Sequence, residues 1–394
     1  QHVVAMFGAT VLAPLLMGFD PNVAVLMSGV GTLIFFAATG GKVPSYLGSS
    51  FAFISVVIAA TAYAGQGLNA NIGLALGGIV ICSALYAVIG LVVMSVGTRW
   101  VERLMPPVVT GAVVAVIGLN LASIPIKNMA PTGFDAWMQA VTFVSIGVVA
   151  VFTTGMTRRL LILVGLIAAC LAYAALTNGL GWGKPIAGGL IADAAWFGMP
   201  NFTAPVFEVR AIVLIAPVAL ILVAENLGHL KAVGAMTDQD MDRHIGRAFL
   251  GDGVATMVSG GVGGTGVTTY AENIGVMSAT RIYSTALFVV AALFAIVLGF
   301  SPKFGAVIHT IPLAVMGGIS IVVFGLIAIA GARIWVDNRV DFTDSRNLIV
   351  AAITLVLGTG DFTLKFGDFA MGGIGTATFG AIILNAVLSR GRGR

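Results

Sequence analysis

The run VSGGVGGTGVTTYAENIGVMSATR, residues 258–281, decides how the rest of the chain is read. Long apolar segments lie on both sides of it. Gly260, Gly261, Gly263, Gly264 and Gly266 break any regular helix, because glycine loses the most conformational freedom on becoming helical. Val267, Thr268, Thr269 and Tyr270 favour extended backbone. The helical pattern resumes around Ile274, with Glu272 and Asn273 where it begins. The run therefore predicts a broken segment: a short extended piece, then a half-helix whose N-terminus lies near Glu272. Irregular backbone survives at membrane depth only inside protein or along a cavity, and such interruptions mark binding sites in transporters. A polar loop outside the bilayer would carry the same breakers, so the surroundings must decide.

The surroundings are those of a membrane. Of 394 residues, 58% are hydrophobic and 9% charged, and the mean hydropathy is +1.04; a soluble domain carries about 25% charged residues. The apolar runs are continuous rather than alternating, which excludes a transmembrane barrel and leaves the all-α polytopic class. With ~20 residues needed per span, they divide into about fourteen. The first seven cover 3–19, 23–40, 45–62, 71–96, 104–124, 137–156 and 159–177. A polar, Gly-rich and aromatic stretch, Asn178 to Pro205, separates them from 208–234, 245–260, 266–279, 282–300, 307–330, 346–358 and 370–389. The opening residues lack the basic start of a signal peptide and an initiator Met, so Gln1 is read as following a trimmed N-terminus. Cys82 and Cys170 sit in apolar spans with neither disulfide nor metal spacing, and no cofactor is expected. The net charge of +4 resides in loops and gives no nucleic-acid signal.

Two features suggest a duplication. LMPPVVTGAVVAVIGLNLA (104–122) resembles HTIPLAVMGGISIVVFGLIA (309–328), pairing Pro106 with Pro312 and Gly111 with Gly317. Each half also has a short third segment rich in Gly, Ser or Thr, YLGSSFAFIS (46–55) and GTGVTTYAENIG (264–275). Seven spans per half is odd, so the second half would enter the membrane upside down. With the N-terminus in the cytoplasm, fifteen of the twenty Lys and Arg fall on the cytoplasmic side. That bias supports the orientation and an even number of spans, with both termini cytoplasmic.

Acidic residues inside spans are expensive and functional by default. Glu225 and Glu272 are two, and Asp252 in FLGDGVATMVSG is a third candidate, read as capping or entering the ninth span in a structural or loop role. Glu225 shares a helix face with His229 at i+4; a carboxylate and an imidazole in a dry cavity suit proton coupling, and equally a buried structural pair. His2 is read as a helix-end histidine, His244 as solvated in a charged loop, and His309 as capping a helix start before Pro312. Ser49, Ser50 and Phe51 form the counterpart in the first half: hydroxyls, unpaired backbone amides and a flat ring. Two carboxylates that accept, amides that donate and an aromatic face complement a small planar ligand such as a pyrimidine-dione. A simple anion would not favour two glutamates unless they were protonated. An intramembrane enzyme using Glu225 and His229 lacks a nucleophile or metal set around them.

The stretches QHVVAMFGATVLAPLL (1–16), PSYLGSSFAFISVV (44–57), AENLGHL (224–230) and TTYAENIGVMSATR (268–281) resemble the nucleobase–ascorbate transporter family, within it the bacterial uracil permeases, and the resemblance covers essentially the whole chain. It implies 14 transmembrane segments in two inverted repeats of 7, with short antiparallel strands in segments 3 and 10. It implies a core domain (1–98 and 206–302), a gate domain (99–205 and 303–394), proton symport of a nucleobase by elevator-type movement, and a homodimer in the bacterial inner membrane. Glu225 and Glu272 match the base-binding glutamates, His229 the histidine implicated in coupling, Phe51 the position whose amide and ring meet the base, and Tyr270 a motif position lining the site. Two departures stand out. Ala271 replaces a Gly of the uracil permease motif, and Phe324 stands where a Tyr is expected. Purine-transporting relatives carry Gln at the position of Glu272, which favours pyrimidines over xanthine or urate.

Overall fold

The computed structural model describes residues 7–63, 67–366 and 369–390. Of residues 7–9, 156, 159, 271, 272, 279, 366, 369, 370 and 390 it describes the backbone alone, and His2 lies outside the described residues. The first half contributes α1 (Phe7–Met17), α2 (Pro21–Ala38), β1 (Leu47–Ser49), α3 (Ile54–Thr61), α4 (Ile72–Val96), α5 (Pro107–Leu121), α6 (Gly133–Phe152) and α7 (Leu161–Ala174). The second contributes α8 (Val209–Ile215), α9 (Val218–Thr237), α10 (Ile245–Gly261), β2 (Val267–Thr269), α11 (Ala271–Thr280), α12 (Thr285–Gly299), α13 (Pro302–His309), α14 (Leu313–Asp337) and α15 (Ser345–Thr359). The hairpin β3 (Leu364–Phe366) and β4 (Phe369–Met371) and the helix α16 (Gly373–Arg390) complete it.

Seven spans among the described residues are long and apolar enough to cross a membrane, or eight if α12 and α13, bent by 83° at their junction, are one. The count falls short of fourteen for a physical reason. Several expected spans are interrupted, so each piece, such as Phe51–Thr61 or Ser345–Thr359, is shorter than a bilayer requires. The run expected at 307–330 is two helices, because Pro312 caps α14 and ends what precedes it. His309 thus closes α13, with Thr310 as the C-cap, instead of opening a helix.

Small residues set the helix packing, as in other membrane bundles. Gly90 of α4 lies against Gly246 and Leu250 of α10, and Gly253 of α10 lies against Ala87 of α4. Gly251 meets Phe35 of α2. Elsewhere α5 and α14 run antiparallel, with Gly111 under Trp335 and Gly118 against the Phe324 carbonyl. The Trp335 indole donates to the Val108 carbonyl at 3.1 Å and ties the same pair. Pro106 and Pro312 both cap their helices in extended conformation, matching the proposed duplication locally. The polar stretch between the halves is laid along the bundle by backbone bonds, Gly198 to the Phe300 carbonyl (2.9 Å), Thr203 to Val262 (3.2 Å) and Val206 to Gly73 (2.8 Å).

The two broken segments meet. β1 pairs with β2 antiparallel, Leu47 opposite Thr269, Gly48 opposite Thr268 and Ser49 opposite Val267, and the Ser50 amide extends the ladder to the Gly266 carbonyl at 2.9 Å. Two three-residue strands leave outer edges that would be ruinous in an apolar interior. Hydroxyls from flanking helices satisfy them. Thr32 of α2 accepts from the Leu47 amide at 2.9 Å; Thr256 of α10 accepts from the Val267 amide at 3.0 Å and donates to its carbonyl at 2.6 Å. Ser49 and Thr265 share a hydrogen bond of 2.6 Å across the pair.

Candidate substrate-binding site

The strand crossing places a helix start from each half beside α9. Ser50 caps the 3-10 turn Phe51–Phe53, accepting from the Ala52 amide at 3.3 Å. Tyr270 precedes α11 without any side-chain cap, so the first amides of α11 face outward from the helix as donors. From α9, Glu225 and His229 reach this crossing while Asn226 between them is fully buried. Ser50 Oγ donates to Glu225 Oε2 at 3.1 Å. His229 Nδ1 meets Thr269 Oγ1 of β2 at 2.9 Å. The carboxylate and the imidazole that share one helix face are therefore each anchored to a different broken segment. Both keep part of their surface accessible, whereas Ser50, Asn226 and Thr269 beside them are buried.

The remaining expected residues fall as follows. Phe51 is 7% exposed and packs edge-on against Phe324 of α14, ring centroids 5.9 Å apart at 90°. Tyr270 is 3% exposed, with its ring over Gly48 of β1 and its hydroxyl 3.5 Å from Thr10 Oγ1. Glu272 and Ala271 form the first turn of α11, which packs on α9; their side chains lie outside the described residues.

Asp252, read from sequence as capping or entering the ninth span in a structural or loop role, lies within that span, wholly buried in the middle of α10. Its carboxyl faces the backbone of Thr269, yet neither oxygen has a well-formed hydrogen bond. The signal that could have found it is the pair of glycines on either side: Gly251 and Gly253 are contact points against α2 and α4, not breakers. His244 is half-buried rather than solvated, with Nδ1 enclosed and unpartnered. Its partial burial, and after that the nearby charges of Arg247, Arg243 and Lys42, hold its pKa below the usual imidazole value.

A cavity of about 840 Å³ opens where α1 and α3 face the ends of α5 and α13 and the start of α14; Ser55, Tyr63, Asn120, Lys127, His309 and Asp361 supply polar groups to its wall. At the opposite end of α5, Lys231 of α9 pairs with Glu102 at 2.9 Å and with Asp242 at 2.7 Å. Among the described residues no group of three His, Cys, Asp or Glu could hold a metal ion.

The architecture is that of a polytopic, mostly helical membrane protein, and the relatives that follow are permeases, transporters rather than enzymes. A model of the permease family, Xan_ur_permease, matches residues 1–366. The chain belongs to that family, the nucleobase–ascorbate transporters. It is 68% identical over 390 residues, 99% of this chain and 88% of the relative, to "Putative pyrimidine permease RutG" of Escherichia coli (strain K12). It is 41% identical to the uracil permease of Bacillus caldolyticus, over 98% of this chain and 90% of that one. Among solved structures, the transmembrane domain of the cyanobacterial bicarbonate transporter BicA matches with TM-score 0.65 at 16% identity, over 98% of this chain and 94% of that one. The inward-facing murine anion transporter Slc26a9 matches with TM-score 0.66 at 10% identity, over 99% of this chain and 68% of that one. At those identities the likeness speaks for the fold alone.

Proposed function

We propose that the protein imports uracil, and other pyrimidine bases such as thymine, by proton symport across the bacterial inner membrane. The observation that carries the reading is the Ser50–Glu225 hydrogen bond of 3.1 Å, which fixes a carboxylate of the second repeat on the broken segment of the first. Glu225 and Glu272 accept from the base N–H groups, the amides at the starts of the Phe51 turn and of α11 donate to its carbonyls, and the Phe51 ring covers its face. His229, with Glu225 one turn earlier on α9, takes the coupled proton, and no other cofactor takes part. The names of the relatives support the substrate class.

Fourteen segments in two inverted repeats, with the core (1–98 and 206–302) moving against the gate (99–205 and 303–394), remain our reading of the transport cycle. So do cytoplasmic termini and a homodimer. The cavity between α1 and α3 on one side and α5 and α14 on the other, and the ion pair from Lys231 to Glu102 at the far end of α5, support an outward-opening arrangement. The rivals are a xanthine- or urate-type purine transporter and, because BicA shares the fold, a small-anion carrier.

Competition binding separates them. Labelled uracil bound to purified protein should be displaced by unlabelled uracil and thymine, and not by xanthine or bicarbonate at the same concentration. Stronger displacement by xanthine than by uracil would favour the purine reading, and stronger displacement by bicarbonate than by uracil the anion reading.

A further inference from the structure

Behind the candidate site runs a chain of three hydrogen bonds through closed packing. His229 Nδ1 and Thr269 Oγ1 are 2.9 Å apart, Thr269 Oγ1 and Asn226 Oδ1 2.5 Å, and Asn226 Nδ2 and Tyr86 Oη 2.7 Å. Thr269, Asn226 and Tyr86 are 3%, 0% and 1% exposed, so no solvent competes for these groups. Which way the protons point decides what His229 can do. An Asn amide can be turned end for end, which would reverse every donor in such a chain. Distance breaks the tie. Hydroxyl-to-oxygen bonds run about 2.5–3.0 Å, whereas nitrogen donors to oxygen stay at about 2.7–3.2 Å. The 2.5 Å contact thus fits the Thr269 hydroxyl donating to the Asn226 carbonyl oxygen and is too short for an amide nitrogen. The Asn226 nitrogen then donates to Tyr86, as 2.7 Å allows. A threonine hydroxyl has one proton. Once Thr269 has given it to Asn226, its oxygen can only accept from His229.

We infer that Tyr86, Asn226 and Thr269 are positioning residues that hold His229 in the Nδ1–H tautomer, leaving Nε2 as the nitrogen that takes the coupled proton. The inference rests on the symport reading for its functional meaning, and on geometry alone for the tautomer. It has a mechanical consequence. With Nδ1–H already donating to Thr269, a proton arriving at Nε2 breaks no existing hydrogen bond and turns no buried group. In the opposite tautomer, Nδ1 would be the bare nitrogen. Protonation there would require the Thr269 hydroxyl and the Asn226 amide to turn over together inside a packed core. The arrangement in the structure lets the imidazole gain and lose its proton while the strand crossing that holds it stays put.

The test is magic-angle-spinning NMR of protein carrying ¹⁵N-histidine, reconstituted in lipid at alkaline pH where the ring is neutral. The His229 signals are assigned by their loss in His229→Gln. The expected spectrum shows the protonated nitrogen at Nδ1 and the bare one at Nε2. Thr269→Ser keeps the hydroxyl and should keep this pattern; Thr269→Val, similar in shape but without an acceptor, should lose it. Tyr86→Phe removes the partner of the Asn226 amide and should leave a mixture of tautomers. A wild-type spectrum with the proton at Nε2, or an unchanged tautomer in Thr269→Val, overturns the inference. Should Thr269→Val fail to fold, the wild-type and Tyr86→Phe spectra decide it. Gradient-driven uptake is measured on the same liposomes. Uptake without coupling removes the symport reading and leaves the tautomer result standing, whereas coupled uptake with the wrong tautomer removes only the inference.

Discussion

Glu225→Gln is expected to weaken uracil binding about 100-fold while leaving the fold intact. In the proposed site Glu225 would offer the base a carboxylate oxygen already oriented by Ser50 at 3.1 Å. A hydrogen bond to a charged group contributes about 1.5–3 kcal/mol, and the upper part of that range corresponds to roughly 100-fold in affinity. The glutamine keeps the size of the side chain. It also presents an N–H where the base presents an N–H, so the loss should reach that upper part. Equilibrium binding of labelled uracil, with thermal melting as the control for folding, reads the effect. Affinity within about threefold of wild type at an unchanged melting temperature would remove Glu225 from the contact.

The second large effect is structural and falls on the strand crossing. Gly48→Val puts a branched side chain where the Tyr270 ring and the Thr10 hydroxyl already lie. Neither neighbour is free to yield, since Tyr270 is 3% exposed and Thr10 fully buried. Overpacking of this kind costs about 1–3 kcal/mol, occasionally more. Here relief would have to come from parting β1 from β2, and with it Ser50 from Glu225. We expect a clear fall in melting temperature together with loss of uracil binding. Gly275→Ala on α11 is the matched control, because nothing stands within 4 Å of the added methyl. Removing a glycine from a helix interior should there be neutral or stabilising. A Gly48→Val protein as stable as the Gly275→Ala protein would mean that the crossing is looser than described.

Local chemistry made parts of this legible in the sequence. The glycine run followed by Val267, Thr268 and Thr269 announced an extended piece and a half-helix, and the structure has β2 over Val267–Thr269 and α11 from Ala271. The span expected at 245–260 is α10, Ile245–Gly261. The pairing itself came from the family resemblance, which implied antiparallel strands in segments 3 and 10, and the structure bears it out; local chemistry alone does not carry it. Leu47 and Thr269 are partners across most of the chain, and no local propensity encodes that. The hydroxyls that make the pairing tolerable, Thr32 and Thr256, look like ordinary threonines in apolar helices until the strand edges are seen beside them.

The sequence left Asp252 open between capping and entering the ninth span, because nothing about Gly251 and Gly253 decided it. In the bundle they are where α10 comes closest to its neighbours, which drives the aspartate inward. That His229 shares a helix face with Glu225 was legible by spacing. Its bond to Thr269 was not, since that depends on where β2 runs relative to α9. A count by helix length reaches seven or eight spans among the described residues rather than fourteen, because it counts continuous helices and several of the expected spans are interrupted.

The central claim is that acids and an imidazole at the crossing of two broken segments couple a base to a proton. Uptake of labelled uracil into proteoliposomes under an imposed pH gradient, acidic outside, tests it most directly. Accumulation above equilibrium that collapses when the gradient is dissipated, and that is lost in Glu225→Gln, is the predicted result. Uptake at the same rate and to the same level with or without the gradient would contradict it.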